Sequence, residues 1–181
     1  MEKTLNRIVY SFGQKTLSVF LAVAAAVVLP QMVHAIGVVT GTGALIGQIL
    51  LPMYLPVLVF GFLAGPVAGA TAGVLSPLIS YAVSGMPSAV LLPYMVLELG
   101  CYGLFAGLIR KGRLHPMLKV LAVSLISRLL RLAVTAVAAG LINQPAVSIG
   151  ATVHLMVLGL PGIALHCLMA PYLVKAMEKK Q

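Results

Sequence analysis

Residues 90–109 read VLLPYMVLELGCYGLFAGLI, twenty positions whose only formal charge is Glu98. A straight helix of that length is about 30 Å long, the thickness of the hydrocarbon core of a bilayer. The pattern extends outward, because from Thr16 to Ile109 Glu98 remains the single formal charge. Across all 181 residues 61% are hydrophobic and 8% charged, with no Trp, and the mean hydropathy is +1.10. An ordinary soluble domain is roughly a quarter charged. So few charges cannot cover so much apolar surface in water, which excludes a soluble enzyme, a nucleic-acid binder and a disordered chain. The composition predicts an all-α integral membrane protein embedded in the lipid bilayer.

Six transmembrane helices are expected: Leu17–Ala35, Ile49–Leu63, Pro66–Val83, Val90–Ile109, Met117–Leu141 and Ala151–Val174. The chain then divides into an N-terminal segment, 1–16, a membrane domain, 17–174, and a basic tail, 175–181. Pro52, Pro56, Pro66 and Pro77 interrupt the second and third spans, whose limits are therefore the softest. Proline removes one backbone hydrogen bond, and a membrane helix tolerates it where neighbours satisfy the freed carbonyl.

Ten of the twelve Lys and Arg fall in three patches: Lys3, Arg7, Lys15; Arg110, Lys111, Arg113, Lys119; and Lys175, Lys179, Lys180. With six spans all three patches lie on one side, and the loops 36–48, 84–89 and 142–150 carry no formal charge. Basic loops stay cytoplasmic, so both termini are expected there and the net charge of +9 is an orientation signal. A second reading of the first span is a cleaved signal peptide ending at Val33-His34-Ala35. Removal of that span would leave the others oriented as before, so charge parity does not decide between the two.

Small residues four apart let helices approach closely where no hydrophobic force draws them together. Ala22 and Ala26 provide such a ridge in the first span, Gly61, Gly65, Gly69 and Gly73 across the second and third, and Gly103 and Gly107 in the fourth. Each ridge reads either as packing within the bundle or as a docking face for another membrane subunit. Pro66 interrupts the glycine series, which suits a tight hairpin better than one continuous face.

Ionisable groups inside a membrane are expensive and mark a site by default. Three qualify: Glu98, Arg128 and Arg131. Glu98 lies eleven residues before Ile109, and Arg128 eleven after Met117. At 1.5 Å per residue both are roughly 16 Å from the basic surface, near the midplane. The short turn between the spans makes them antiparallel neighbours, so an ion pair between Glu98 and Arg128 is expected. Arg131 would then lie one turn further out, level with Tyr94 and Met95. Tyr94 and Tyr102 extend the acidic stripe at steps of four. Two arginines facing one carboxylate leave a positive surplus, which reads either as a satisfied internal network or as a seat for an anion, held by Arg131 while Glu98 and Arg128 organise the pocket. The planar guanidinium fork suits a carboxylate. Thr40, Thr42, Asn143 and His154 are candidates for polar contacts near the mouth, and His34 flanks it. His166 reads best as a packing residue.

The sequence contains no HExxH, no second intramembrane acid, no P-loop and no convincing inverted repeat. Cys101 and Cys167 lie inside apolar segments, so neither a disulfide scaffold nor a metal site is expected, and no cofactor is called for. The chain has no evident means of harnessing energy by itself.

Several strings resemble the substrate-binding S components of energy-coupling factor (ECF) vitamin transporters: Leu29-Pro30-Gln31-Met32-Val33-His34, Leu51-Pro52-Met53-Tyr54-Leu55-Pro56-Val57-Leu58, Gly61-Phe62-Leu63-Ala64-Gly65-Pro66, Ser76-Pro77-Leu78-Ile79-Ser80, Gly85-Met86-Pro87 and Glu98-Leu99-Gly100-Cys101-Tyr102-Gly103. The resemblance spans about Leu17 to Val174, with Tyr54 standing where a His is expected. It implies a multi-pass protein of the prokaryotic plasma membrane that captures a vitamin or related micronutrient in a pocket opening outward. It also implies docking on a transmembrane T component, with Ala22 and Ala26 matching the expected AxxxA ridge, and two cytoplasmic ATPases that supply the energy. The positive surplus suits pantothenate or niacin; riboflavin needs no charge complement. A small intramembrane enzyme and a homo-oligomeric channel are the competing classes.

Overall fold

Prolines and glycines decide where the apolar segments break. The computed structural model describes residues 2–141 and 148–178, with side chains described for 13–141 and 148–177. Helix α1 spans Glu2–Val39, α2 Leu45–Leu50, α3 Tyr54–Ala64, α4 Pro66–Ser84, α5 Leu92–Ile109, α6 Pro116–Leu141, α7 Ile149–Leu158 and α8 Leu160–Glu178. No strand occurs among the described residues. Among the described residues, six segments are long and apolar enough to cross a membrane, with α2 and α3 together forming the second. The protein is an all-helical membrane bundle.

Two expected spans are not single helices. The second, expected over Ile49–Leu63, is interrupted between α2 and α3 at Leu51–Met53, where Leu51 takes a left-handed backbone with φ 51°. Pro52 follows, lacks an N–H, and disfavours a helical conformation in the residue before it. The sixth, expected over Ala151–Val174, is divided at Gly159 into α7 and α8, with Pro161 just beyond the break. Ser148 starts α7 by accepting a hydrogen bond from the Ala151 N–H at 3.1 Å. The first helix is longer than expected, running without interruption through the N-terminal segment from Glu2.

The glycine ridges pack on one another inside the chain. A methyl group added at Gly61 would lie 2.8 Å from the Gly103 carbonyl oxygen, and one at Gly69 would run into the same group. A methyl at Gly73 would strike the Leu99 carbonyl, and one at Gly107 the backbone of Pro66. Contact this close is possible only without a Cβ, and it seals α4 against α5 and α3. Gly65, at φ 97°, turns the tight hairpin between α3 and α4. At the same end the Arg110 guanidinium donates to the Leu63 carbonyl at 3.2 Å, satisfying one of the last acceptors of α3. Lys119 does the same for α5, donating to the Arg110 carbonyl at 2.8 Å.

Helix α3 lies at the centre. Tyr54, Val57, Leu58 and Val59 pack with Leu99, Tyr102 and Ala106 of α5, Val120 and Val123 of α6, and Ala170 of α8. Large apolar residues such as Phe20, Leu125, Leu129 and Leu168 remain exposed on the rim. That inversion of the soluble pattern is what a lipid-facing surface requires.

Candidate functional site: an arginine pair on a cavity wall

A cavity of about 340 Å³ opens at the end of the bundle that carries the uncharged loops. Its wall is assembled from Pro30, Gln31 and His34 of α1, Ala44, Gly47, Gln48 and Leu51 to Tyr54 around the α2–α3 break, Ser80 of α4, and Leu91 just before α5. The turn Met86–Ser88, Met95 and Glu98 of α5, Arg128 and Arg131 of α6, and Leu155 and Met156 of α7 complete it. Its size is at the small end of the usual range for ligand pockets, and its lining has the usual make-up, mostly apolar with a few convergent polar groups.

The three intramembrane charges meet on this wall. Arg131 Nη1 donates to Glu98 Oε2 at 2.6 Å, and the Tyr54 hydroxyl donates to the same oxygen at 2.9 Å. Arg128 Nε stays 4.0 Å from Glu98 Oε1. The expected pairing is thus shifted by one turn: Arg131 is the hydrogen-bonded partner, and Arg128 is held at the limit of an ion pair. Instead Arg128 Nη1 donates to the backbone carbonyl of Met156. That carbonyl belongs to the last turn of α7, where the helix leaves acceptors without an intrahelical partner. The break at Gly159 therefore has a local purpose. A side chain there would come within 2.6 Å of Arg128 Nη2 and 3.0 Å of Leu51 Cδ1. A second glycine, Gly162, lets the backbone of Ile49 and Leu50 press against α8. The two helix breaks thus meet beside Arg128.

The surrounding polar groups hold the trio in place. Glu98 is 1% exposed, Arg128 7% and Arg131 8%. Tyr102 is fully buried behind the wall, its ring edge-on to Tyr54 with centroids 4.9 Å apart. The Nε atoms of both arginines are buried without a hydrogen-bond partner among the described residues. A guanidinium has five donors, so each head retains unused capacity.

The remaining expected contacts fall elsewhere. Tyr94 is buried but off the cavity wall. Thr42 pairs with Thr40 at 2.9 Å within the loop after α1, and His154 is exposed on α7; neither lines the cavity. Asn143 lies outside the described residues. Ala22 and Ala26 have no exposed surface: α1 lays them against α4 and α3, with Ala22 clustered with Ala72 and Ala26 in the central core. In this conformation they are intramolecular contacts, because the same small side chains that would admit a partner admit a neighbouring helix.

Sequence reasoning missed Tyr54, Gln31, Gln48, Ser80, Ser88 and the Met156 carbonyl as wall groups. The prolines around Leu51–Met53 were the available signal, since irregular backbone at membrane depth is tolerated where it borders a cavity. Among the described residues no three His, Cys, Asp or Glu side chains gather as a metal site.

The fold and this wall define a class: a helical membrane protein with a pocket of small-molecule size beside buried charges. The profile of the family described as ECF transporter, substrate-specific component, matches residues 15–174, and the chain belongs to that family. It is accordingly a multi-pass protein of the prokaryotic plasma membrane and a substrate-binding subunit for transport, not an enzyme. Neither a curated protein nor a solved structure matches it.

Proposed function

We propose that the protein captures an anionic, vitamin-like micronutrient outside the cell and delivers it through a T component driven by two cytoplasmic ATPases. Both termini face the cytoplasm in this reading, which places the uncharged mouth of the cavity outside. The observation that carries it is the presence of two guanidinium groups and one carboxylate on a single cavity wall. Arg131 and Tyr54 engage Glu98, so the carboxylate organises the wall and Arg128 is the cation with capacity left for a ligand. Gln31, Gln48 and Ser88 offer polar contacts nearer the mouth, and the methionines and prolines between them suit an apolar body.

The test is purification from native membranes without added substrate. Mass spectrometry should identify a small carboxylic acid bound to the chain, and the T component and ATPases should copurify. A neutral or cationic compound in the site would refute the anionic reading. Purification as a stable homo-oligomer free of ATPases would refute the assembly.

A further inference from the structure

The wall can be read as a charge count, and this rests on the anionic reading just proposed. Arg128 and Arg131 bring two positive charges, and Glu98 brings one negative charge. Among the described residues, His34 and Tyr54 are the only other titratable side chains on the wall. His34 stands at the mouth on α1, while Tyr54 spends its proton on Glu98. His166 is buried on α8, off the wall. The wall therefore carries a surplus of one positive charge, located on Arg128, whose hydrogen bond is to the uncharged Met156 carbonyl.

From this count we infer that the site takes a small monocarboxylate with an apolar body, and that Arg128 is the residue that selects for its single charge. A buried charge without a counter-charge is strongly unfavourable, and the penalty applies to either sign. A neutral ligand leaves the Arg128 surplus in place while removing the water that solvates it. A dicarboxylate brings one negative charge too many into the same enclosed volume. A monocarboxylate alone brings the wall to neutrality, and in Arg128 it meets a guanidinium hydrogen-bonded to an uncharged carbonyl instead of a carboxylate. The cavity volume sets the scale of the body, and Met53, Met86, Met95 and Met156 give it an apolar, adaptable lining.

The experiment screens the purified full-length protein in detergent against matched trios on common aliphatic and aromatic skeletons. Each trio contains a monocarboxylate, its primary amide and the corresponding dicarboxylate, as in pyridine-3-carboxylate, its amide and pyridine-2,3-dicarboxylate. Thermal shift finds the binders and calorimetry ranks them, at about pH 8 throughout. For the best skeleton the monocarboxylate should bind at least about tenfold tighter than both companions, the scale of one charge-assisted hydrogen bond. Arg128→Met, which leaves the wall neutral, should invert the preference toward the amide. Glu98→Gln, which raises the surplus to two, should move it toward the dicarboxylate. The two variants change the count in opposite directions, so the loss of either fold leaves the other informative. A dicarboxylate preferred by the parent protein overturns the charge count while leaving an anion site intact. An amide bound as tightly as the acid, or a panel in which no acid binds, overturns the anion site itself.

Discussion

Arg131 donates to Glu98 at 2.6 Å although its Cα sits one helical turn beyond the position that matches Glu98 in depth. The cause is the lean of helical side chains toward their own N-terminus. Helices α5 and α6 are antiparallel neighbours, so the two side chains lean toward opposite ends of the bundle. Glu98 reaches outward from its backbone level and Arg131 reaches back, and they meet between their turns. Arg128 leans away from the carboxylate by the same rule and is caught by the Met156 carbonyl at the end of α7. One arginine thereby becomes structural, and the other is left on the wall with spare donors.

The two arginines should separate when each is replaced by Met. Arg131→Met strips Glu98 of its close counter-ion at 1% exposure and should lower the stability of the detergent-solubilised protein by about 3–5 kcal/mol. Arg128→Met loses one backbone hydrogen bond and a distant ion contact, an effect of about 1–2 kcal/mol. If the proposed anionic ligand is the cargo, its binding should nevertheless weaken by about tenfold or more. Thermal unfolding and calorimetry on both variants check this, and the reverse order of stability losses would contradict the pairing.

Tyr54 holds Glu98 through its hydroxyl and Tyr102 through its ring. Tyr54→Phe keeps the edge-on ring contact and removes only the donor, for an expected loss of about 1.5–3 kcal/mol, as for a hydrogen bond to a charged group. Tyr54→Ala also removes the ring and should cost about 3–5 kcal/mol. Equal melting temperatures for the Phe variant and the parent would show that the hydroxyl is not holding the carboxylate.

Glycines that look alike in the sequence should differ sharply when mutated. A methyl at Gly103 would meet the Gly69 backbone, whereas one at Gly140 has nothing within 4 Å. Gly103→Ala should force α4 and α5 apart and lower the yield of folded protein. Gly140→Ala should be neutral or stabilising by about 1 kcal/mol, the difference in helix propensity between the two residues. Size-exclusion profiles and unfolding temperatures of the pair give the answer.

Ala26 distinguishes internal packing from docking. With no exposed surface against α3 and α4, Ala26→Leu should destabilise the isolated chain by about 1–3 kcal/mol through overpacking. A docking-only residue would leave the isolated chain unchanged and reduce only the recovery of the T component. Unfolding of the purified subunit, measured beside copurification, separates the two outcomes.

Much of the architecture was legible because lipid imposes one-dimensional constraints. Apolar length gave the six spans, and the limits of the third, fourth and fifth agree with α4, α5 and α6 to within two residues at either end. Depth gave the meeting of Glu98 with the arginines, since axial rise is nearly constant along any helix. The hairpin at Gly65 followed from the adjacent proline. The breaks at Leu51–Met53 and Gly159 were harder to see, because hydropathy runs through both without interruption.

Which arginine pairs, whether Ala22 and Ala26 face a neighbour or a partner, and which polar residues reach the cavity all depend on helix rotation and contact. Thr42, His154 and Tyr94 were placed at a useful depth by their sequence positions, yet they point or pack elsewhere. Depth along a helix is a property of the chain alone, set by counting residues from a charged boundary. Azimuth and side-chain reach are settled only when several helices compete for the same interior, and this assigned Arg131 to Glu98 and left Arg128 at the cavity.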